Sequence, residues 1–319
     1  MEPPLTSPLQ IQRARDELVS GNTVVFPTET VYGIGANVFD PIAVAKIFEI
    51  KKRPALNPLI VHIRHLSQVE TVSSEFPPVA RLLAEHFWPG PLTLVLPKHP
   101  NVPSIVTSGL PTVGVRMPSH PVAQQLLDAV GFPLAAPSAN LSGQLSPTRC
   151  EHAVAQLGNQ VSIILEGGPC PIGIESTILL IEGDHVSCLR PGGIPIEQIE
   201  EHLKRRLARR KTDGKPLAPG MLEHHYAPQT PLLFLNPDEP VPAVEGKLGL
   251  LCMKKNGDSR TYASIEEISP SGDLRVAAAN LFAALHRLDA MGLDHLVARA
   301  VPEVGLGCAI NDRLKRAAS

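Results

Sequence analysis

The chain has 319 residues, of which 43% are apolar and 19% are charged, and its net charge at pH 7 is −2. This length favours two domains, and the apolar fraction excludes an intrinsically disordered chain. The near-zero charge and the 4% aromatic content argue against a strong whole-molecule field for nucleic acid and against a stacking platform for single strands, although a local basic patch stays open. The 33 prolines, spread between apolar runs, indicate turns and rigid loops.

In chain order, short β-rich runs alternate with helical patterns through the first two thirds of the sequence. Strands are predicted at 23–26, 59–63, 92–96, 112–116, 134–136, 162–165 and 176–181. Helices are predicted at 40–53, with Asp40 as N-cap and Pro41 at the first helical position, and at 79–87, 119–130 and 196–207. A further helix starts at Thr148, where Glu151 would complete a capping box. This alternation favours an α/β fold with a mixed sheet.

The pattern lapses from 212 to 231, and the run 213–220 has the composition of a linker. A second, smaller α/β unit follows. Its strands are predicted at 232–235, 248–253 and 295–300, and its helices at 273–291 and from about Ile310. We therefore predict a mixed-sheet domain over 8–208, a linker or lid over 209–231, and a smaller Rossmann-like α/β domain over 232–319.

The cysteine spacing and the first four residues allow a prediction of the protein's cellular location. The five cysteines form no Cys-x-x-Cys pair, which is typical of reduced thiols in a cytosolic protein. Met1 to Pro4 lack the basic and apolar regions of a signal peptide, and no apolar stretch reaches the ~18 residues of a membrane span. We expect a cytoplasmic location and no membrane contact.

The common nucleotide and metal motifs are missing from the sequence. No Gly-x-x-x-x-Gly-Lys-Ser/Thr loop occurs, and Gly305-x-Gly307 has Ile310 where a third glycine belongs. The adjacent His224 and His225 have no evident third ligand, so no side-chain motif for a metal is found.

Polar and cationic groups collect instead at the ends of predicted strands. The hydroxyl-rich loops are 27–35, 137–143 and 173–178, and the cations are Lys51 to Arg53, Arg116 and Arg190. Each has an ordinary interpretation as well: self-bonded turns, cations at a helix C-terminus, or surface arginines. His62 within its apolar strand is equally compatible with a hydrogen-bonded core residue. Together these groups favour a polar, anion-binding enzyme site for a phosphorylated ligand.

The run 204–211 places six cations in eight positions. It is compatible with a solvated helix end and also with a contact for RNA phosphates.

Five motifs in this order resemble the YrdC-like threonylcarbamoyl-AMP synthases. They are Pro27-Thr28-Glu29-Thr30-Val31-Tyr32-Gly33, Lys51-x-Arg53-Pro54, Asn57-Pro58-Leu59, Ser138-x-Asn140 and Gly173-x-x-Ser176-Thr177. The resemblance covers about residues 8–205 and continues in Pro219-Gly220-Met221 and His225-Tyr226-Ala227-Pro228, which are similar to the linker of the two-domain form. Ala218 stands where the family has Ser, which puts one linker contact in doubt.

The resemblance implies a twisted mixed sheet with a concave, positively lined cavity. It implies that L-threonine, bicarbonate and ATP, with Mg²⁺, are converted to L-threonylcarbamoyl-adenylate, pyrophosphate and water. This is the first step of t6A modification at tRNA adenosine 37. A downstream tRNA threonylcarbamoyltransferase is the implied partner, and direct tRNA contact is a further expectation.

The resemblance also implies roles for individual residues. Lys51 and Arg53 are the implied catalytic residues at the phosphates. The residues implied for threonine are Thr30, His62, Arg116, Ala136 and Ser176. Those implied for ATP are Arg53, Asn57, Thr112, Ser138, Asn140, Ser146, Arg190 and Tyr226, with Tyr226 closing over the nucleotide from the linker.

Two other functions stay open at this point. A YrdC-like module without turnover could grip double-stranded RNA by shape, although the net charge and the scarce aromatics argue against it. A carbamoyl-transfer domain like those of hydrogenase maturation is the other, although the chain lacks their cysteine-rich zinc segments.

Overall fold

The computed structural model describes residues 6–210, 217–220, 225–255 and 261–318. Several positions discussed above lie outside these described residues: Met1 to Pro4, Lys211, the linker stretch 212–216, Met221 and His224. Over the described ranges, no helix is both long enough and apolar enough to cross a membrane.

Among the described residues, nine strands form the large sheet. They are β1 Val24–Phe26, β2 Gly33–Asn37, β3 Ile60–His62, β4 Leu92–Pro97, β5 Thr112–Arg116, β6 Leu134–Ala135, β7 Thr177–Glu182, β8 His185–Arg190 and β9 Ala208–Arg209. Their order across the sheet is β1-β2-β6-β3-β5-β4-β7-β8-β9. The pairs β3–β5, β4–β7 and β8–β9 are parallel and the other pairs are antiparallel, which confirms the predicted mixed sheet.

Within the part of the chain that the structure describes, seven α-helices accompany this sheet. They are α1 Pro8–Val19, α2 Pro41–Lys51, α3 Val69–Val72, α4 Pro78–Phe87, α5 Pro121–Val130, α6 Cys150–Leu157 and α7 Ile196–Leu203. The predicted start of α2 is confirmed, because the Asp40 carboxylate accepts the backbone N–H groups of Ile42 and Ala43. The helix ends where Lys52 adopts the left-handed region, with φ of 50°.

The second unit is a smaller parallel sheet with two helices. Its strands are β10 Leu232–Leu235, β11 Leu248–Cys252, β12 Ser264–Glu267 and β13 His295–Arg299, in the order β10-β13-β11-β12. Its helices are α8 Leu274–Asp289 and α9 Gly307–Ala317. All three strand pairs are parallel, so the predicted α/β character of this unit is confirmed.

Some local predictions are wrong. The run 162–165 is not a strand, since only Ile164 pairs with Val25, in an isolated bridge. The capping box at Thr148 does not form: Arg149 is the N-cap of α6, and the Thr148 backbone N–H donates to His152. Helix α7 stops at Leu203, short of 207, because Lys204 adopts a left-handed φ of 52°.

Two elements near the N-terminus are missing from the prediction. Helix α1 has a detectable signal, since Ser7 and Gln10 form a capping box. Strand β2 begins within the hydroxyl-rich loop 27–35 and continues to Asn37, and Gly33 and Gly35 weaken its local strand propensity. Its partners across the sheet, and not its own composition, make it a strand.

The two units pack directly against each other. The apolar core of the second unit includes Leu145, Ile174 and Tyr226 from the preceding chain. At Gly173 a Cβ atom would collide with the backbone of α8, so only glycine permits this close approach. The loop that leads into β7 is therefore held at the junction between the units.

Candidate active site

One chamber lies where the ends of several strands of the large sheet meet the linker. Its walls come from both halves of that sheet and from the linker: Thr28, Thr30, Val31, Gly33, Arg53, Ile60, His62, Arg116, Ala136, Pro137, Ser138, Glu175, Ser176, Arg190, Pro219, Gly220, His225 and Tyr226. Side chains that are far apart in sequence meet here because β3, β5 and β6 are neighbours in the sheet.

Most of the residues named from the sequence lie on these walls. They are Thr30, Arg53, His62, Arg116, Ala136, Ser138, Ser176, Arg190 and Tyr226. Five others do not line the chamber as it stands: Lys51, Asn57, Thr112, Asn140 and Ser146. The roles of all fourteen toward substrates stay predictions.

Lys51 is buried one layer behind the wall. Its Nζ donates to the backbone oxygens of Ser138, at 2.6 Å, and of Asn140. Burial, and then the charge of Arg53, hold the pKa of Lys51 well below its usual value. In this arrangement Lys51 fixes the loop that carries Ser138.

Arg53 projects from the end of α2 and is buried. Its Nε donates to the Asn57 oxygen at 2.9 Å and its Nη2 donates to the Pro58 oxygen at 2.8 Å. Burial lowers the pKa of Arg53 to about 9, so the guanidinium is charged at neutral pH. Asn57 is fully buried, and its side-chain amide has no hydrogen-bond partner among the described residues.

Asn140, Ser146 and Thr112 occupy three different settings outside the lining. The Asn140 amide donates to the backbone oxygens of Leu141 and Gln144 and so shapes its own loop. The Ser146 hydroxyl donates to Glu175 at 2.5 Å, one contact behind the wall. Thr112 begins β5, roughly 13 Å along the strand from Arg116 at about 3.3 Å per residue.

Arg116 ends β5 inside the protein, so the alternative of a surface arginine is wrong. Its Nη2 donates to Glu29 at 2.5 Å, its Nη1 to the Thr30 hydroxyl at 2.9 Å, and its Nε to the Gly90 oxygen at 3.3 Å. Glu29 is fixed in turn by the Ser119 backbone N–H at 3.0 Å. A guanidinium has five N–H groups, so two remain for a ligand.

His62 lies beside Arg116 at the end of β3. Its Nδ1 is 3.2 Å from the Ile60 oxygen. Burial, and then the charge of Arg116, lower the pKa of His62 to about 3. The ring is therefore neutral at physiological pH and offers a hydrogen bond, not a charge.

Ser176, Arg190 and Tyr226 connect the sheet to the linker. The Ser176 hydroxyl is 2.8 Å from that of Thr93, and Arg190 Nη2 donates to the Ser176 backbone oxygen at 2.9 Å. Arg190 Nη1 donates to the Pro219 oxygen at 2.8 Å and lies 3.5 Å from the Tyr226 hydroxyl. A single arginine thus ties the described linker residues to the chamber.

Glu175 is a wall residue that the sequence analysis did not single out. Burial alone would raise the pKa of Glu175, but the charges of Arg313 and Arg190 and the Ser146 hydrogen bond outweigh it and hold that pKa below its usual value. Its position between Gly173 and Ser176, in a loop that the sequence analysis describes as hydroxyl-rich, was the sequence feature that could have identified it. Its partner Arg313 is more than a hundred residues away, so the sequence pattern does not reveal the pair.

The side chains around the chamber determine how a metal ion could be held there. In the described part of the chain, no three His, Cys, Asp or Glu side chains are placed to hold one. Glu175 is the lining carboxylate, and its oxygens already accept from Ser146 and Arg313. These residues are compatible with a Mg²⁺ ion held mainly by nucleotide phosphates and water, and not with a protein cage.

The chamber is narrow in this structure. Its free volume is about 50 Å³, against ~300–1,000 Å³ for ordinary ligand pockets. At Gly220 an added Cβ would collide with Arg190 and the Tyr226 hydroxyl, which shows how closely the linker is packed. The chamber as it stands is therefore smaller than an ordinary ligand pocket, and Gly220, Arg190 and Tyr226 pack tightly at this side of it.

Three cations of the run 204–211, Arg205, Arg206 and Arg210, do not line the chamber and are partly neutralised. Arg206 pairs with Glu200 at 2.7 Å and Arg210 with Glu182 at 2.8 Å. Arg205 donates to the Asp184 backbone oxygen. These contacts favour the solvated surface interpretation over a phosphate contact.

Two family models together match most of the chain. A model of the Sua5/YciO/YrdC family, described as "Telomere recombination", matches residues 16–192. A model described as "Threonylcarbamoyl-AMP synthase, C-terminal domain" matches residues 194–319. The second match covers the unit that the sequence motifs left least defined.

Whole-length relatives agree with these matches. The chain is 41% identical over 320 residues to a threonylcarbamoyl-AMP synthase of Pyrococcus abyssi, covering 97% of this chain and 94% of that protein. It is 41% identical over 327 residues to one of Bacillus subtilis, covering 98% and 94%. The crystal structure of P. abyssi Sua5 complexed with L-threonine matches with a TM-score of 0.88 at 38% identity, covering 97% of this chain and 94% of that one. Over both of its α/β units, the chain belongs to the threonylcarbamoyl-AMP synthase family in its two-domain form.

Proposed function

We propose that the chamber is the active site in which this chain makes L-threonylcarbamoyl-AMP from L-threonine, bicarbonate and ATP. The observation that carries the proposal is the convergence of three guanidinium groups, from Arg53, Arg116 and Arg190, on one hydroxyl-lined chamber. Such a site suits a ligand with a carboxylate and a polyphosphate.

Threonine is proposed to bind at the Arg116 side. The two N–H groups that Arg116 keeps can meet the amino-acid carboxylate. Thr30, Ser176 and neutral His62 lie on the same walls and can satisfy the amine and the hydroxyl. A buried site built to hydrogen-bond a hydroxyl rejects analogues that lack it, which favours threonine over apolar amino acids.

The reaction then needs two steps that balance. The threonine amine attacks bicarbonate, giving an N-carboxylate and releasing water. An oxygen of this N-carboxylate attacks the α-phosphorus of ATP, the bond to the β-phosphate oxygen breaks, and pyrophosphate leaves. No side chain has to form a covalent bond, so alignment of the two anions in a water-poor chamber supplies much of the catalysis.

Negative charge grows on the departing pyrophosphate. Arg53 and Arg190, which line the chamber, are proposed to stabilise it, and Lys51 holds the loop that carries Ser138. Mg²⁺ is proposed to arrive with ATP and to neutralise phosphate charge, since the residues present leave most of its coordination to the nucleotide. Asn57, Ser138, Asn140, Ser146 and Thr112 stay as proposed ATP-side residues.

A pyrophosphate-release assay tests the function. We expect the purified protein to release pyrophosphate from ATP only when threonine and bicarbonate are both present, because the attacking atom exists only after carboxylation. Omitting either substrate is the matched control. Pyrophosphate release that ignores threonine would remove the assignment.

Tyr226 is proposed to cover the bound nucleotide. Tyr226→Ala is expected to weaken ATP binding up to about tenfold, because the ring packs at the chamber and one good aromatic contact is worth ~0.5–1.5 kcal/mol. Calorimetric titration with ATP measures it. The control is Tyr262→Ala, which changes a tyrosine of the second unit. An unchanged ATP affinity in Tyr226→Ala would mean that the linker only connects the two units.

The product would serve t6A synthesis at tRNA adenosine 37. A mixed anhydride decomposes in water, so we propose a downstream tRNA threonylcarbamoyltransferase as the consumer and the cytoplasm as the location. Whole-length similarity to synthases argues against an RNA-binding module without turnover and against a carbamoyl-transfer domain. Direct tRNA contact stays a proposal. The ion pairs of Arg206 with Glu200 and of Arg210 with Glu182 argue against the surface around these two arginines as the contact site.

A further inference from the structure

Arg313 belongs to α9 of the second unit, yet it reaches the wall of the chamber in the first. Its side chain is completely buried. Its Nε donates to the Glu175 carboxylate at 2.8 Å, and its Nη1 donates to the Pro191 oxygen at 2.8 Å. Its guanidinium carbon lies 5.4 Å from the centre of the Tyr226 ring. One side chain therefore contacts the Glu175 loop, the end of β8 and the linker.

Glu175 needs a positively charged partner because it lies buried on the wall of the chamber. It is a buried carboxylate on a wall whose other charges, from Arg53, Arg116 and Arg190, are positive. A bare carboxylate there would repel a polyphosphate in a region of low dielectric, where charges interact strongly. Ser146 donates a neutral hydrogen bond at 2.5 Å, while Arg313, whose Nη1 also pairs with Asp312 at 2.8 Å, brings a positive charge to Glu175 from outside the chamber.

The rest of the second unit supports this contact. The same loop is held by Gly173 against the backbone of α8 and by Ile174 inside the apolar core of that unit. The loop therefore has its glycine, its apolar side chain and its carboxylate all fixed by the second unit. Its next residue, Ser176, faces the chamber.

From this arrangement we propose that Arg313 is a positioning residue of the synthase site, by which the second unit neutralises Glu175 and keeps the chamber receptive to the polyphosphate of ATP. Arg313 acts through Glu175 and does not line the chamber itself. The inference rests on the proposed function and extends it by assigning the second unit a part in nucleotide binding.

The test is a pair of variants with ATP affinity as the readout. Arg313→Met removes the charge but keeps the length of an apolar side chain, and Glu175→Gln removes the carboxylate. We expect calorimetric titration of the full chain with ATP to show at least tenfold weaker binding in Arg313→Met. The double variant is expected to bind ATP at least threefold more tightly than Arg313→Met, because removing both charges leaves no uncompensated carboxylate on the wall. Lys315→Met, which removes an exposed ion pair of α9 at 3.0 Å, is the matched control and should bind normally.

Recovery of ATP binding in the double variant distinguishes charge neutralisation by Arg313 from a packing role of its side chain. If the double variant binds ATP as weakly as Arg313→Met, or if Arg313→Met binds normally, the proposal is overturned. If Arg313→Met does not fold, as judged by thermal unfolding, the double variant still decides: folding and binding restored support the proposal, and a double variant that also fails to fold overturns it. Because ATP binding is measured without turnover, an unaltered protein that binds ATP but releases no pyrophosphate with threonine would count against the proposed function alone.

Discussion

Replacing Arg53 by glutamine is expected to lower kcat/KM for ATP by about 100- to 1,000-fold, the usual effect of removing one donor from a preorganised charge-stabilising site. Arg53 is buried on the chamber wall and is charged at neutral pH, and its own bonds to the Asn57 and Pro58 oxygens hold it in place. Its contribution grows as charge accumulates on pyrophosphate, so kcat should fall along with affinity. Steady-state pyrophosphate release measures both.

Lys52 provides the matched control for Arg53. It is the neighbouring cation and is exposed, and its left-handed φ of 50° is equally unfavourable for lysine and for glutamine. Lys52→Gln should therefore keep activity within about twofold, because an exposed charge is screened. Equal losses in the two variants would mean that general positive charge, and not the wall position of Arg53, supports the reaction.

Arg116→Lys is expected to raise KM for threonine at least about 100-fold while KM for ATP changes little. Lysine keeps a positive charge beside buried Glu29 but loses the planar fork that reaches Glu29 and Thr30 together. With its donors engaged by these partners, an ammonium cannot also meet a carboxylate at two points. Initial rates over a threonine series at saturating ATP and bicarbonate measure the effect.

Arg149→Lys is the control for this second change. Arg149 is half-exposed, and its ion pair with Glu151 is long, at 4.0 Å. An arginine-to-lysine change there is therefore expected to leave both KM values unchanged. A parallel rise of both KM values in Arg116→Lys would indicate a disturbed fold. A normal KM for threonine would place the amino-acid carboxylate elsewhere in the chamber.

Local sequence signals predicted elements well where the physics is local. The Asp40-Pro41 helix start depends on a capping side chain two and three residues from its partners, and the structure confirms it. Buried strands such as β4 and β11 are indicated by apolar runs. The wrong predictions concern pairing: β2 is a strand because it pairs with β1 and with the distant β6, and Ile164 pairs with Val25 only in an isolated bridge.

The two α/β units and the residue types of the site could be predicted from the sequence, because turn residues, apolar periodicity and short motifs are properties of neighbouring positions. The packing of distant elements determines which side chains face the chamber, which lie behind it as Lys51 does, and which charges are compensated. The Arg313–Glu175 pair spans both units, and its strength comes from burial, which no local pattern encodes. Charges separated along the chain interact according to distance and dielectric, and folding sets both.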